Sequence, residues 1–164
     1  MLVRFKRLHQ DAVVPFKTYP EDFCYDVVAT SEQGIAPNVW KYGIGLAFEI
    51  QEGPDDLVVE NEFGKELLRI PQDRDWNVCI DLRPRSSIYK TGMVLSNAVG
   101  TVDELYRGEV SAIFYHVFTE MPRYRVGDRI GQIKLGFTLP IEFEEVDELI
   151  QTARGDGGYG STGR

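Results

Sequence analysis

Short apolar runs separated by glycine and proline, with almost no helical periodicity, constrain this chain more than any other feature. Runs of that length suit strands, and strands at fairly regular spacing must pair into sheets to bury one face. Residues 2–7 alternate apolar and basic and read as an edge strand. Phe23–Ala29 is a β-rich run carrying one acid, Asp26. Pro37–Ile50 is a strand region broken by Gly43 and Gly45. Leu57–Val59 and Leu67–Ile70 form a paired hairpin inside a polar excursion, and Trp76–Leu82 alternates. Ser111–Phe118 is the clearest buried strand, and Gly131–Phe137 and Ile141–Glu144 follow it. Helix is confined to about one turn after Arg85 and about one turn at Val146–Ile150. The expectation is an all-β fold, a jelly roll or β-sandwich, with one short helix and a flexible Gly-rich C-terminal tail.

At 164 residues and 43% hydrophobic, the chain supports one domain with a proper core. We place it at residues 1–150, with 53–75 a surface excursion and 151–164 a separate segment. A net charge of -8 argues against non-specific binding to nucleic acid through phosphates. It does not exclude a small anion, because a few local arginines override the global sign. No apolar run is long enough to span a membrane, and the N-terminus lacks the apolar core of a signal peptide. A cytoplasmic location is the default expectation. Cys24 and Cys79 read as buried thiols rather than a disulfide, and His9 and His116 show no ligand spacing.

Two chemical packages lie within Leu82–Val110. In the first, Arg85-Ser86-Ser87 opens the short helix, which runs through Ile88, Tyr89 and Lys90 and stops at Gly92. Unsatisfied N–H groups at a helix start, joined by a guanidinium fork, match phosphate oxygens. In the second, Met93–Leu95 enter a hairpin, Ser96–Val102 turn, and Glu109–Phe118 return. Gly100 in that turn lets the backbone approach a ligand and pair with a base edge. Asp103 is then placed to face a water, although an acid there also serves as a turn residue. Asp26, on the residues alone, reads first as an acid that faces solvent or ends a strand. The segment QTARGDGGYGSTGR changes character: five of the final ten residues are glycine, too many to order by burial. It reads either as an idle tail or as a lid, with Arg154 for phosphate, Tyr159 to stack on a flat ring, and Ser161 and Thr162 for phosphate oxygens.

Five short motifs then resemble, in order, those of the trimeric dUTPase family: Tyr25-Asp26, Pro84-Arg85-Ser86-Ser87, Asn97 through Glu109, Gly127-Asp128-Arg129-Ile130-Gly131-Gln132, and Arg154 through Gly163. Together they span residues 25–163. The resemblance implies hydrolysis of dUTP to dUMP and pyrophosphate, a jelly-roll subunit, and a homotrimer with three sites, each shared by three chains. It implies Mg2+ on the triphosphate, with Asp26 supporting metal-bound water and Asp103 activating the attacking water. Arg85, Ser86, Ser87 and Gln132 contact phosphates on this view. Asn97 and the backbone from Gly100 to Val102 read uracil, and Tyr106 lies under the deoxyribose. Arg154 reaches the γ-phosphate, Tyr159 stacks on the base, and Gly160, Ser161 and Thr162 complete the lid. Cys24, Gly131 and Tyr159 depart from the family's usual residues, the Gly131 change being expected to be neutral. The 53–75 excursion suits trimer packing or a protein partner. Two competing readings are a dCTP deaminase on the same fold, alone or bifunctional, with Glu104 or Glu109 as base, and a regulatory binding protein.

Overall fold

The computed structural model describes residues 2–51, 57–60, 66–70 and 77–157, with 57–60 and 66–70 described by their backbone. Among these residues the chain forms β1 (Leu2–Arg7), β2 (Tyr25–Val28), β3 (Ser31–Ala36), β4 (Val39–Gly43), β5 (Leu46–Gln51), β6 (Leu57–Glu60) and β7 (Glu66–Ile70). Then follow β8 (Asn77–Arg83), a 3-10 helix (Ser86–Lys90), β9 (Met93–Leu95), β10 (Gly100–Asp103), β11 (Ser111–His116) and β12 (Arg129–Thr138). Every pairing is antiparallel. Two four-stranded sheets, ordered β10-β8-β12-β2 and β3-β4-β11-β9, are accompanied by the ribbons β1-β5 and β6-β7.

Alternation in the sequence sets which side chains are buried. Along β8, Val78, Ile80 and Leu82 are buried while Cys79, Asp81 and Arg83 face outward. Ala112, Phe114 and His116 are the buried set of β11. One continuous cluster draws Val27, Ile80, Leu82, Ile130 and Ile133 from the first sheet and Tyr42, Leu95 and Phe114 from the second. At its centre the rings of Tyr42, Phe114 and Tyr124 meet edge to face, with centroids 5.4–6.2 Å apart. Such pairs add about 1 kcal/mol each beyond the area they bury.

The nearly all-β, antiparallel architecture is the expected one, and the predicted hairpin of the excursion exists as β6 and β7. Four local readings change. Ser31–Ala36 is a strand, which its weakly apolar sequence concealed; it is held by pairing to β4. Residues 141–144 form no strand and 146–150 no helix; their apolar side chains, including Phe143 and Ile150, are exposed, so no packing stabilises either form. Residues 96–102 are more than a turn, because Gly100–Asp103 leaves the β9–β11 hairpin and pairs with β8 in the other sheet. Both cysteines are free, as expected, but partly exposed rather than buried.

Candidate functional site

Strand register assembles the first cluster. Asp26 on β2 lies directly opposite Gln132 on β12, and Gln132 lies opposite Arg83 on β8. Arg129 and Gln132 are three residues apart and would face opposite sides of a regular strand. The β2–β12 ladder shifts between Arg129 and Gly131, so Ile130 becomes the extra residue and is fully buried. That bulge turns Arg129 onto the face that carries Asp26 and Gln132. Gly131 at the bulge is not neutral: an added Cβ would stand 2.9 Å from the carbonyl oxygen of Arg83.

Asp26 is buried, contrary to its first reading as a solvent-facing acid. Arg85 donates from Nε to Oδ1 at 2.9 Å, and Arg129 donates from a terminal nitrogen to Oδ2 at 2.9 Å. Ser87 Oγ accepts from Arg85 at 3.5 Å and braces the guanidinium. Gln132 donates to the carbonyl of Pro84 at 3.4 Å, tying β12 to the start of the helix. A cleft of about 480 Å³ opens here, lined by Asp22, Cys24, Asp26, Arg85, Ser86, Arg129 and Gln132 among others. Its guanidiniums and amide suit an anion with several oxygens. The helix contributes little dipole: it is one 3-10 turn without a side-chain cap.

The second cluster lies elsewhere. Asp103 ends β10, opposite Cys79 on β8, and lines a cleft of about 180 Å³ with Thr101, Val102, Tyr106, Glu109 and Ser111. Cys79 to Arg83 is about 13 Å of strand at ~3.3 Å per residue, and Arg85 lies beyond it. Within one chain, therefore, Asp103 and Arg85 line different clefts. Asp103 is exposed, and its carboxylate has no hydrogen-bond partner among the described residues. β10 is an edge strand, so the backbone of Gly100–Val102 has one side turned away from β8. Asn97 is exposed just before it, and its Nδ2 lies 3.5 Å from where a Cβ on Gly100 would stand. Tyr106 donates its hydroxyl to the carbonyl of Glu109 at 3.2 Å, and an added Cβ on Gly108 would come within 2.3 Å of that hydroxyl. The neighbouring Cys79 thiol is pushed up by burial and by the Asp81 carboxylate, so it stays protonated and is a poor nucleophile.

Two acids near this cleft are committed to the fold. Glu104 accepts the N–H of Val78 at 3.0 Å, and Glu109 accepts the N–H of Gly45 at 2.9 Å. Gly45 has φ +67 and is crowded by His9, Ala12 and Thr30, so that anchor holds a turn that only glycine fits. Arg154 is exposed, donates to the carbonyl of Gly157 at 3.0 Å, and lines neither cleft. Tyr159, Gly160, Ser161 and Thr162 lie outside the described residues. Arg129 is the site residue that the sequence reading left without a role, although it sits inside a motif already quoted. Its signal is the three-residue offset from Gln132, which needs a bulge to acquire meaning.

No group of three or more His, Cys, Asp or Glu converges among the described residues. Asp26 and Asp22 supply carboxylate oxygens to the larger cleft. That donor set fits a hard cation that keeps most of its shell as water and substrate oxygen, the usual manner of Mg2+, and not a closed protein cage.

The sequence profile of the dUTPase family matches residues 69–163. The deoxyuridine 5'-triphosphate nucleotidohydrolase of Nautilia profundicola is 32% identical over 100% of both chains. That of Helicobacter hepaticus is 32% identical over 99% of this chain and 89% of its own. Among solved structures, Staphylococcus bacteriophage 80alpha dUTPase with dUpNHpp superposes with a TM-score of 0.66 at 18% identity, covering 99% of each chain. A mutant dUTPase from phage phi11 of S. aureus, described with a structural Mg(II) ion, gives 0.63 at 16% identity over 92% of this chain and 100% of its own. At that identity the phage structures speak for the fold alone. The profile covers more than half of the chain and the bacterial relatives match it end to end, so this chain belongs to the dUTPase family.

Proposed function

We propose that this protein hydrolyses dUTP to dUMP and pyrophosphate, which limits uracil in DNA and supplies dUMP for dTMP synthesis. The carrying observation is the Asp26–Arg85–Arg129–Gln132 cleft in a member of this family. Arg85, Ser86, Ser87 and Gln132 hold the phosphate oxygens. The free edge of β10 pairs with uracil through the backbone of Gly100–Val102, aided by Asn97, as a neighbouring strand would. Donor mismatch rejects cytosine there more strongly than size alone would. Tyr106, packed against Gly108, lies under the deoxyribose and leaves no room for a 2'-hydroxyl. Asp103 takes a proton from the water whose oxygen attacks the α-phosphorus; the bond from that phosphorus to the bridging oxygen breaks, and pyrophosphate leaves. Mg2+, when bound with the triphosphate, neutralises the charge that builds in this step. Asp26 would hold it through water. Arg154, Tyr159, Gly160, Ser161 and Thr162 close over the nucleotide as a lid.

The reading requires several chains. Asp103 and Arg85 line separate clefts in one subunit, and a jelly-roll homotrimer in which one chain's Asp103 meets another's Arg85 resolves this. Residues 1–150 are then the catalytic body and 151–164 the lid. A soluble cytoplasmic protein with dUTP as its partner completes the proposal, and residues 53–75 remain available for packing or a protein partner. Deamination is disfavoured because Glu104 and Glu109 accept backbone amides. The test is a panel of dUTP, dCTP, dTTP and UTP with magnesium, followed for pyrophosphate and ammonia. Pyrophosphate from dUTP alone is expected; ammonia from dCTP would overturn the reading. Shared sites are tested by mixing inactive Asp103→Asn chains with inactive Arg85→Ala chains after dissociation. Recovered activity in the mixed oligomer is expected, and none would exclude sites built between chains.

A further inference from the structure

Asp26 holds more cation than one carboxylate needs. Both of its oxygens are taken, Oδ1 by Arg85 and Oδ2 by Arg129, each at 2.9 Å, on a side chain only 12% exposed. Each oxygen keeps a second lone-pair site that a water can fill, but the carboxylate's charge is already offset by two guanidiniums. A guanidinium N–H given to Asp26 is not available to a phosphate. Yet these three side chains line the cleft in which phosphates are read to bind. One N–H of each guanidinium is therefore turned toward Asp26, and the rest of each fork, apart from the Arg85 N–H given to Ser87, stays open to the cleft.

The two arginines are not equivalent. Arg85 is 25% exposed and braced by Ser87. Arg129 is 42% exposed, makes its one ion pair among the described residues with Asp26, and reaches that face through the bulge at Ile130. It is the partner that can leave at lower cost, since more of its side chain already meets water. A phosphate offers the same fork of oxygens with more charge.

We propose that Arg129 is a phosphate-binding residue held in reserve by Asp26. An incoming polyphosphate draws Arg129 from Oδ2, and Asp26, relieved of one guanidinium, would then favour a cation that accompanies the polyphosphate. Asp26 thus opposes polyphosphate that arrives without metal and favours polyphosphate that arrives with it, coupling the two ligands through one carboxylate. This rests on the reading of the cleft given above. Asp22 also lines the cleft, but its Oδ2 accepts the N–H of Tyr19 at 3.0 Å.

The experiment is calorimetric titration of the full chain with inorganic tripolyphosphate and with the imido analogue of dUTP, each in EDTA and in magnesium. Asp26→Asn is expected to tighten metal-free binding of both probes by about tenfold and to remove most of the gain that magnesium gives. Arg129→Gln is expected to weaken both conditions by about tenfold and to cancel the metal-free gain when combined with Asp26→Asn. Weaker metal-free binding by Asp26→Asn would mean that Asp26 only braces the guanidiniums, and would overturn the proposal. Thermal melting accompanies each titration. Should Asp26→Asn or Arg129→Gln unfold, Arg129→Lys carries the test: it keeps the charge but loses the fork, and unchanged affinity for tripolyphosphate would overturn the assignment. Tripolyphosphate that behaves as expected beside an analogue that binds no better leaves the exchange standing and sinks the nucleoside reading. A wild-type chain that binds neither probe sinks both.

Discussion

The two clefts of this subunit are built on opposite plans. Around Asp26 the charged groups are already engaged with one another: two guanidiniums on the carboxylate, one of them braced by a serine hydroxyl, beside a glutamine tied to Pro84. Around Asp103 the strand is at an edge, the carboxylate is exposed, and the neighbouring acids Glu104 and Glu109 anchor backbone N–H groups. The first plan suits a ligand whose charge can replace an existing ion pair. The second suits a reacting water that meets an unencumbered carboxylate. On the proposed reading, the difference means that the anion cleft is prebuilt in one chain, whereas the Asp103 cleft needs a partner surface to complete it.

The largest expected effect breaks the open cleft. Asp103→Asn should lower kcat by about 10²–10⁴-fold while the affinity for the imido analogue changes little. Near-normal turnover in a steady-state assay would remove Asp103 from the chemistry. Arg85→Ala attacks the prebuilt cleft and should act on both binding and folding. It leaves Asp26 with one partner, so we expect kcat/KM to fall about 100-fold and the subunit to lose roughly 3 kcal/mol in a denaturant melt. Loss of activity without loss of stability would mean that the Asp26 pair is not structural.

A smaller effect sharpens the open cleft. Gly108→Ala should displace the Tyr106 ring, whose hydroxyl stands 2.3 Å from the added Cβ position. The preference for dUTP over UTP should drop by about tenfold, read as a ratio of kcat/KM values. The smallest effect is a control that touches neither cleft. Glu32 accepts from Arg123 at 3.1 Å and from Arg125 at 3.2 Å. Burial alone would raise its carboxyl, but Arg123 and then Arg125 more than offset this and hold it below the usual glutamate value. Its folded value is depressed, so its contribution is present above the ordinary 4.5 and is lost as pH falls through the depressed value. Glu32→Gln should cost about 1 kcal/mol at neutral pH, less at acid pH, with kinetics unchanged. A kinetic effect would show that the two clefts are not independent of the rest of the sheet.

Much of the strand content was legible because alternation is written in the residues, as in Trp76–Leu82 and Ser111–Phe118. Ser31–Ala36 was not, since its strand character comes from pairing with β4 and not from its own side chains. Ile141–Glu144 and Val146–Ile150 erred the other way: local pattern promised structure that no packing supplies. At the site, the residue types Asp26, Arg85, Gln132 and Asp103 could be read from five ordered motifs. The ion pairs of Asp26 with Arg85 and Arg129 could not be read in the same way. The role of Arg129 was hidden because its meaning depends on one extra residue in a ladder.

By itself the sequence determined that this chain is made of strands, that it carries the Arg85-Ser86-Ser87 run, and that its family is legible from short motifs. Those are properties of neighbours along the chain, set by side-chain period and residue chemistry. Tertiary structure alone decided that Asp26 is buried between Arg85 and Arg129, and that Asp103 faces a different cleft from Arg85. These depend on register across strands far apart in sequence, where a one-residue shift reverses which face a side chain joins.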